Sequence, residues 1–73
     1  MTRGAITRSI DSSVIRSVTY RADATLTVRL HRGAVYRYFT VPRTVFEELL
    51  AAASKGAYFS RHIRDGFPYQ RVS

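Results

Sequence analysis

The stretch ATLTVRLH (24–31) constrains the fold more than any other part of the chain. Its apolar side chains alternate with polar ones, at Leu26, Val28 and Leu30. A period of two places these three residues on one face of an extended strand, which predicts a half-buried β-strand. Gly33 follows closely and accommodates the positive φ of a tight hairpin turn. The chain is therefore expected to return as an antiparallel strand.

The segments on either side of this strand also have strand-like compositions. SSVIRSVTY (12–20) is rich in β-branched residues, and AVYRYFTV (34–41) is rich in valine and aromatic residues. The links between the three segments are short, so they are expected to be antiparallel neighbours. Residues 1–11 show no clear periodicity and predict a flexible N-terminal arm. Residues 12–73 then form a single domain.

The second half of the chain predicts two helices. PRTVFEELLAAAS (42–54) carries one apolar helical stripe, and KGAYFSRHIR (55–64) carries a shorter one, with Ser54 as the N-cap between them. The helices must cover the apolar face of the sheet. The predicted fold is α+β, a three-stranded antiparallel meander followed by two helices packed on one face (β-β-β-α-α). Its expected core includes Leu30, Phe46, Leu49, Leu50 and Phe59.

The central segment VYRYFTVP has two interpretations. In a strand, Tyr36 and Tyr38 share one face, and Arg37 and Phe39 share the other. The charge of Arg37 favours water on its own face, so the tyrosines are expected to point toward the helices. Either a bulge near Phe39 resets the alternation before Pro42, or the wet face carries an exposed aromatic ring that could stack on a base.

The charge balance points to an anionic partner. Twelve basic residues face five acidic ones, for a net charge of +7, and eleven of the twelve are arginine. Arginine binds phosphate with two hydrogen bonds and stacks on flat rings, so nucleic acid or a nucleotide is the expected partner. A coding bias that favours arginine is the alternative explanation.

The same composition argues against several other classes of protein. There is no cysteine, and the two histidines lie in different predicted elements, so neither a disulfide nor a metal site is expected. No pair of titratable residues indicates catalysis, so no catalytic residue, enzyme activity or cofactor is predicted. No apolar run approaches the roughly 20 residues of a membrane span. The protein is expected to be cytoplasmic and to have no membrane partner.

The order of several motifs resembles that of the KTSC domain. This small module occurs alone in bacteria and phages, and at the C-terminus of some lysyl-tRNA synthetases. Its central Tyr-x-Tyr motif corresponds to Tyr36-Arg37-Tyr38. The other matching positions are Gly33, Val41-Pro42, Ser54, Gly56 and Tyr58-Phe59. The resemblance covers residues 12–72, implies RNA binding through its placement on synthetases, and brings no catalytic residues.

The sequence therefore predicts a small basic module that binds RNA or single-stranded nucleic acid. One contact region is expected to contain Arg29, Arg37 and Arg43 with Tyr36 or Tyr38, and a second to contain Lys55, Arg61, His62 and Arg64. One alternative is a protein-interaction or phage accessory module whose aromatic strand extends a partner sheet. Another is a pocket for a small anionic nucleotide between protomers. Open strand edges also predict a homodimer.

Overall fold

The computed structural model describes residues 5–73, which form an α+β fold around one antiparallel sheet. Its five strands pair in chain order, and they are β1 (Ile6–Ser9), β2 (Ile15–Tyr20), β3 (Leu26–Leu30), β4 (Val35–Tyr38) and β5 (Tyr69–Arg71). Between β4 and β5 lie α1 (Arg43–Ala51), α2 (Lys55–Tyr58) and a π-helical turn (Phe59–Ile63). The predicted α+β class is confirmed. Within residues 5–73 the helices are too short to cross a lipid bilayer.

The prediction of three strands is wrong in number, because β1 and β5 extend the meander on both sides. β1 lies inside the segment predicted to be a flexible arm, and its residue Ile6 pairs with Tyr20 of β2. The arm prediction therefore fails for Ile6–Ser9, and its residues 1–4 lie outside the described part of the chain. Both strands are short and mostly exposed. Each pairs with its neighbouring strand through the backbone, and because few of their side chains are buried, neither shows an apolar alternation in the sequence.

A β-bulge in β2 brings two apolar residues to the same face. Ile15 pairs with Leu30, whereas Ser17 already pairs with Arg29, so one extra residue lies between the two pairs. Ile15 and Val18 are three positions apart and would point to opposite faces of a regular strand. The extra residue of the bulge resets the alternation. Both side chains are fully buried as a result.

The alternation of β4 is also reset, but after the strand has ended. Thr40 adopts a positive φ of 57°, and the next side chain, Val41, is fully buried. The N–H of Val41 donates to the Ala24 carbonyl at 2.8 Å, and its carbonyl accepts from the Tyr20 hydroxyl at 2.7 Å. The reset that was expected near Phe39 is therefore a single left-handed residue. Phe39 itself is half-buried.

The helical segments cover one face of the sheet with four large side chains. α1 contributes Phe46 and Leu49, and the π-helical turn contributes Phe59 and Ile63. The Phe46 ring stacks on the Tyr20 ring of β2, with centroids 5.0 Å apart. Of the predicted core residues, four are buried, and the fifth is half-buried; these are Leu30, Phe46, Leu49 and Phe59, then Leu50.

Local hydrogen bonds mark the ends of the second helical segment. The Ser54 hydroxyl accepts from the Ala57 N–H at 3.3 Å, as its predicted N-cap role requires. At the other end, the Gly66 N–H donates to the Ile63 carbonyl at 3.1 Å. A Cβ atom at position 66 would lie 2.5 Å from the His62 carbonyl oxygen. Glycine is therefore required where the chain leaves the helical turn.

Leu49→Ala tests this core, because the Leu49 side chain is fully buried. The change should lower the free energy of unfolding by roughly 2–5 kcal/mol, since it leaves a cavity beneath α1. Leu50→Ala is the matched control, because it removes the same atoms from the adjacent, half-buried position. Urea unfolding should show a clearly smaller loss for Leu50→Ala. Equal losses in the two variants would contradict the packing of α1.

Candidate nucleic-acid interface

The pleat of β4 places the predicted binding residues on opposite faces of the sheet. Tyr38 points toward the helices and is 2% exposed, and Tyr36 lies on the same side and is half-buried. Arg37 lies between them in sequence and points the other way. The structure therefore does not bring Arg37 together with either tyrosine on one face of the sheet. The prediction that the tyrosines point toward the helices is confirmed.

The face of the sheet away from the helices is polar, and we call it the open face. Arg37 is opposite Thr27 in the neighbouring strand, and Arg29 is opposite Val35. The two arginines thus share this face at diagonal positions, as the alternation predicted. The other side chains of the open face, in register across the strands, are Thr7, Ser9, Ser17, Thr19 and Gln70.

Arg43, the third member of the predicted region, is engaged elsewhere. It lies at the start of α1, where its guanidinium donates to the Glu47 carboxylate at 3.1 Å. Both side chains are more than half exposed, so this ion pair contributes little to stability. Arg43 belongs to the surface of α1.

A cavity of about 440 Å³ opens between the tip of the β3–β4 hairpin and the π-helical turn. This size lies within the range typical of small-molecule sites. We call the cavity the tyrosine pocket, because three tyrosine rings form one wall. The lining residues are Ser13, Val14, Leu30, His31, Arg32, Tyr36, Tyr38, Phe59, Ser60, Arg64, Asp65 and Tyr69.

The three tyrosines of this wall form one aromatic cluster. The ring centroid of Tyr69 lies 5.8 Å from that of Tyr36 and 5.4 Å from that of Tyr38. The edge of Tyr38 also meets Phe59, with centroids 5.8 Å apart and planes at 83°. Tyr69 is 56% exposed, whereas Tyr38 is buried. The wall therefore runs from a rigid buried ring to an accessible ring at the mouth.

Cationic side chains reach the same pocket from two directions. Arg32 comes from the hairpin tip, and one of its guanidinium nitrogens donates a long hydrogen bond, 3.5 Å, to the Tyr36 hydroxyl. Arg64 comes from the end of the π-helical turn. The salt bridge found among residues 5–73 joins Arg43 to Glu47, so neither pocket arginine is paired with a carboxylate there.

His31 is the third nitrogen-bearing side chain of the pocket. Its Nε2 lies 2.8 Å from the Ser12 carbonyl oxygen, an acceptor, so this nitrogen carries the proton and donates it. The contact ties the hairpin tip to the loop that precedes β2. In the described part of the chain, no three histidine, aspartate or glutamate side chains are grouped so that they could hold a metal ion.

The second predicted contact region is only partly assembled. Arg64 lines the tyrosine pocket, but Arg61 and His62 are exposed and do not line it. The His62 ring packs on the Tyr58 ring with centroids 4.5 Å apart, one helical turn away. The Lys55 ammonium donates to the Ala52 carbonyl at 2.9 Å, so it satisfies the end of α1.

Sequence reasoning missed His31, Asp65 and Tyr69 as site residues. Tyr69 could not be placed, because its strand β5 was not predicted. Asp65 was not singled out, and His31 was considered only together with the other histidine, for a metal site that was not expected. In each case the missing information was the pairing of β5 with β4, which closes the pocket. A tyrosine repeated near the end of the chain was the available signal.

Comparison with known protein families identifies the domain. The model of the KTSC domain matches residues 11–67. The chain belongs to the KTSC domain family. A crystal structure of a KTSC domain protein from Yersinia pestis superimposes with a TM-score of 0.86 at 25% identity, and the match covers 94% of this chain and 99% of that one. The resemblance predicted from the Tyr-x-Tyr motif is confirmed.

Curated relatives of this KTSC domain include much larger proteins. The chain is 44% identical over 64 residues to a lysine–tRNA ligase of Trichormus variabilis, and 42% identical over the same length to one of Nostoc sp.. Each match covers 86% of this chain but 11% of the ligase. A short protein of Tsukamurella paurometabola is 37% identical over 59 residues, which are 80% of this chain and 88% of that protein.

Two tyrosines of this KTSC domain have strongly raised pKa values. Burial is the main cause that raises the pKa of Tyr38 to about 12, and the neighbouring Tyr69 and Tyr36 add to it. The pKa of Tyr58 is also raised to about 12, first by burial and then by the hydrogen bond from its hydroxyl to the Glu48 carboxylate, 2.7 Å long. Both hydroxyls are therefore protonated at neutral pH.

These shifts predict a loss of stability at alkaline pH. A tyrosine of the unfolded chain ionises near its ordinary pKa of about 10, whereas folded Tyr38 and Tyr58 keep their protons until about pH 12. Between these values the folded state binds more protons, so the free energy of unfolding falls as pH rises. Urea unfolding at intervals from pH 9 to pH 12 measures the fall. The decrease in unfolding free energy should be smaller in Tyr38→Phe and in Tyr58→Phe than in the wild type. A double variant whose unfolding free energy decreases as much as that of the wild type would contradict this prediction.

Proposed function

We propose that this KTSC domain binds RNA or single-stranded nucleic acid, with one base in the tyrosine pocket. The carrying observation is that Tyr36, Tyr38 and Tyr69 line the same cavity as Arg32 and Arg64. Aromatic rings stack on the faces of unpaired bases, and arginines bind phosphate oxygens with two hydrogen bonds. One nucleotide offers both groups. The pocket thus takes the base against its aromatic wall and the phosphate at its rim.

The charge of the whole chain supports an anionic polymer as the ligand. The net charge is +7 over 73 residues. Arg29 and Arg37 share the open face, where the residues paired with them across the strands are uncharged. Such a face attracts a phosphodiester backbone. In this proposal the open face adds affinity without base contacts.

The relatives support RNA as the nucleic acid. The named ones are lysine–tRNA ligases, which act on tRNA as their name states. This chain spans about a tenth of their length, so their ligase activity is not transferred to it. The domain is proposed as a binding module only. Its expected cytoplasmic location and lack of catalysis stay predictions from the sequence.

Arg64→Ala tests the pocket as a phosphate contact. The variant should weaken binding to single-stranded RNA about equally for different sequences, and it should reduce the slope of log affinity against log salt by roughly one unit. Arg61→Ala is the matched control, since Arg61 lies on the same helical turn but does not line the pocket. Fluorescence anisotropy of labelled oligonucleotides over a range of salt measures both.

Two results would overturn this proposal. One is a wild-type protein that binds no oligonucleotide at low salt. The other is an Arg64→Ala variant whose affinity and salt slope equal those of Arg61→Ala. Arg37→Ala is a separate variant that reports on the open face, because it leaves the pocket residues in place.

A second candidate function is protein binding through a strand edge. β1 and β5 each have one edge without a neighbouring strand in the described part of the chain. At the β5 edge, Tyr69 and Val72 are about half exposed. Such edges accept another strand, either from a partner or from a second copy. The homodimer predicted from the sequence would form in this way.

Sedimentation velocity at high micromolar concentration tests whether the strand edges pair with a second copy. Strand pairing between copies should give a dimer whose dissociation changes little with salt, because backbone hydrogen bonds carry it. A protein that stays monomeric at these concentrations would contradict self-association. RNA binding that weakens steeply with salt would favour the nucleic-acid proposal.

A further inference from the structure

Asp65 is the one acidic side chain among the described residues that line the tyrosine pocket. It directly follows Arg64 at the end of the π-helical turn, and it is exposed. It forms no salt bridge with residues 5–73, where the pair found is Arg43–Glu47. Its carboxylate is therefore available to a ligand in a cavity whose other charged side chains are cationic.

A carboxylate needs hydrogen-bond donors, and a phosphate group has none at neutral pH. Asp65 repels the phosphate that Arg32 and Arg64 attract, so it must face another part of the nucleotide. Two parts of a nucleotide present a pair of adjacent donors that match both carboxylate oxygens. One is the Watson–Crick edge of guanine, with its ring N–H and its amino group. The other is the 2′,3′-diol of a ribose.

The position of Asp65 agrees with such a role. The positive charge of Arg64 lowers the pKa of Tyr38 and the negative charge of Asp65 raises it, so both charges lie within electrostatic range of the buried ring of the aromatic wall. A base stacked on that wall lies parallel to it, so its edge points sideways, toward the side chains that border the wall. The cation and the anion can then contact different groups of one bound nucleotide.

We infer that Asp65 is a specificity-determining residue, and that the tyrosine pocket selects nucleotides with two adjacent hydrogen-bond donors. This inference rests on the proposed function and adds to it a preference among nucleotides. In both cases two adjacent donors of the ligand bind the carboxylate of Asp65. The donors come either from the guanine edge or from the ribose diol, and the ligands of the test distinguish these two sources.

Four nucleoside monophosphates provide this test. Guanosine monophosphate has both donor pairs, inosine monophosphate lacks the amino group, deoxyguanosine monophosphate lacks the 2′-hydroxyl, and deoxyinosine monophosphate lacks both. Titration calorimetry should show guanosine monophosphate binding at least about fivefold more tightly than deoxyinosine monophosphate, the lower end expected for a bidentate contact. The weaker of the two intermediate ligands identifies which donor pair is used.

Asp65→Asn distinguishes the proposed nucleotide preference from an effect of net charge on binding. The amide keeps the shape of the side chain but replaces one acceptor oxygen with a donor, so the preference should fall below about twofold. Binding of the monophosphates should not weaken overall, since a negative charge has been removed. Glu47→Gln is the matched control. It changes the net charge equally but lies on α1 outside the pocket, so the full preference should remain.

The outcomes distinguish this inference from the proposed function. Equal binding of the four ligands by the wild type would overturn the selection by Asp65, and so would an unchanged preference in Asp65→Asn. Failure of all four to bind, while single-stranded RNA binds, would overturn it as well. Each of these results leaves RNA binding standing. A wild-type protein that binds neither RNA nor any monophosphate would overturn both.

Discussion

The structure depends on covering one face of a five-stranded sheet with a single short helix and one further helical segment. Phe46 and Leu49 from α1 and Phe59 and Ile63 from the π-helical turn provide this cover, and no disulfide supports it. These two short helical segments do not extend over all five strands. They leave Tyr69 on β5 56% exposed, while Val28 at the centre of the sheet is fully buried. The tyrosine pocket lies at this boundary between covered and uncovered sheet.

The sequence predicted those elements of the fold whose apolar side chains are buried. The alternation in β3 and the turn at Gly33 follow from an apolar face and a positive φ of 99°, and both are visible in the residue types. β1 and β5 were missed for the opposite reason. Their side chains are largely exposed, so neither strand carries the buried apolar alternation by which a strand is recognised in a sequence. Tyr69 was lost from the predicted site with β5.

The candidate site was predicted less well than the fold, because proximity along the chain was taken for proximity in space. Arg37 lies between two tyrosines in sequence, yet the pleat directs it to the opposite face of the sheet. Lys55 and Arg43 carry charge but are engaged with neighbouring groups. Resemblance to the KTSC domain identified the family correctly. It could not show which face of β4 borders a cavity.

The three tyrosines of the pocket differ in what their rings do for the protein. Tyr38 is 2% exposed and packs on Phe59, so its ring is part of the core as much as of the site. Tyr69 lies on an edge strand and is 56% exposed, so its ring is accessible from solvent while it packs on Tyr38. Tyr36 is intermediate, and Arg71 lies 5.9 Å above its ring. The family motif Tyr36-Arg37-Tyr38 thus contains one ring that belongs to the core and one half-buried ring that borders the cavity, so its two tyrosines have different structural roles.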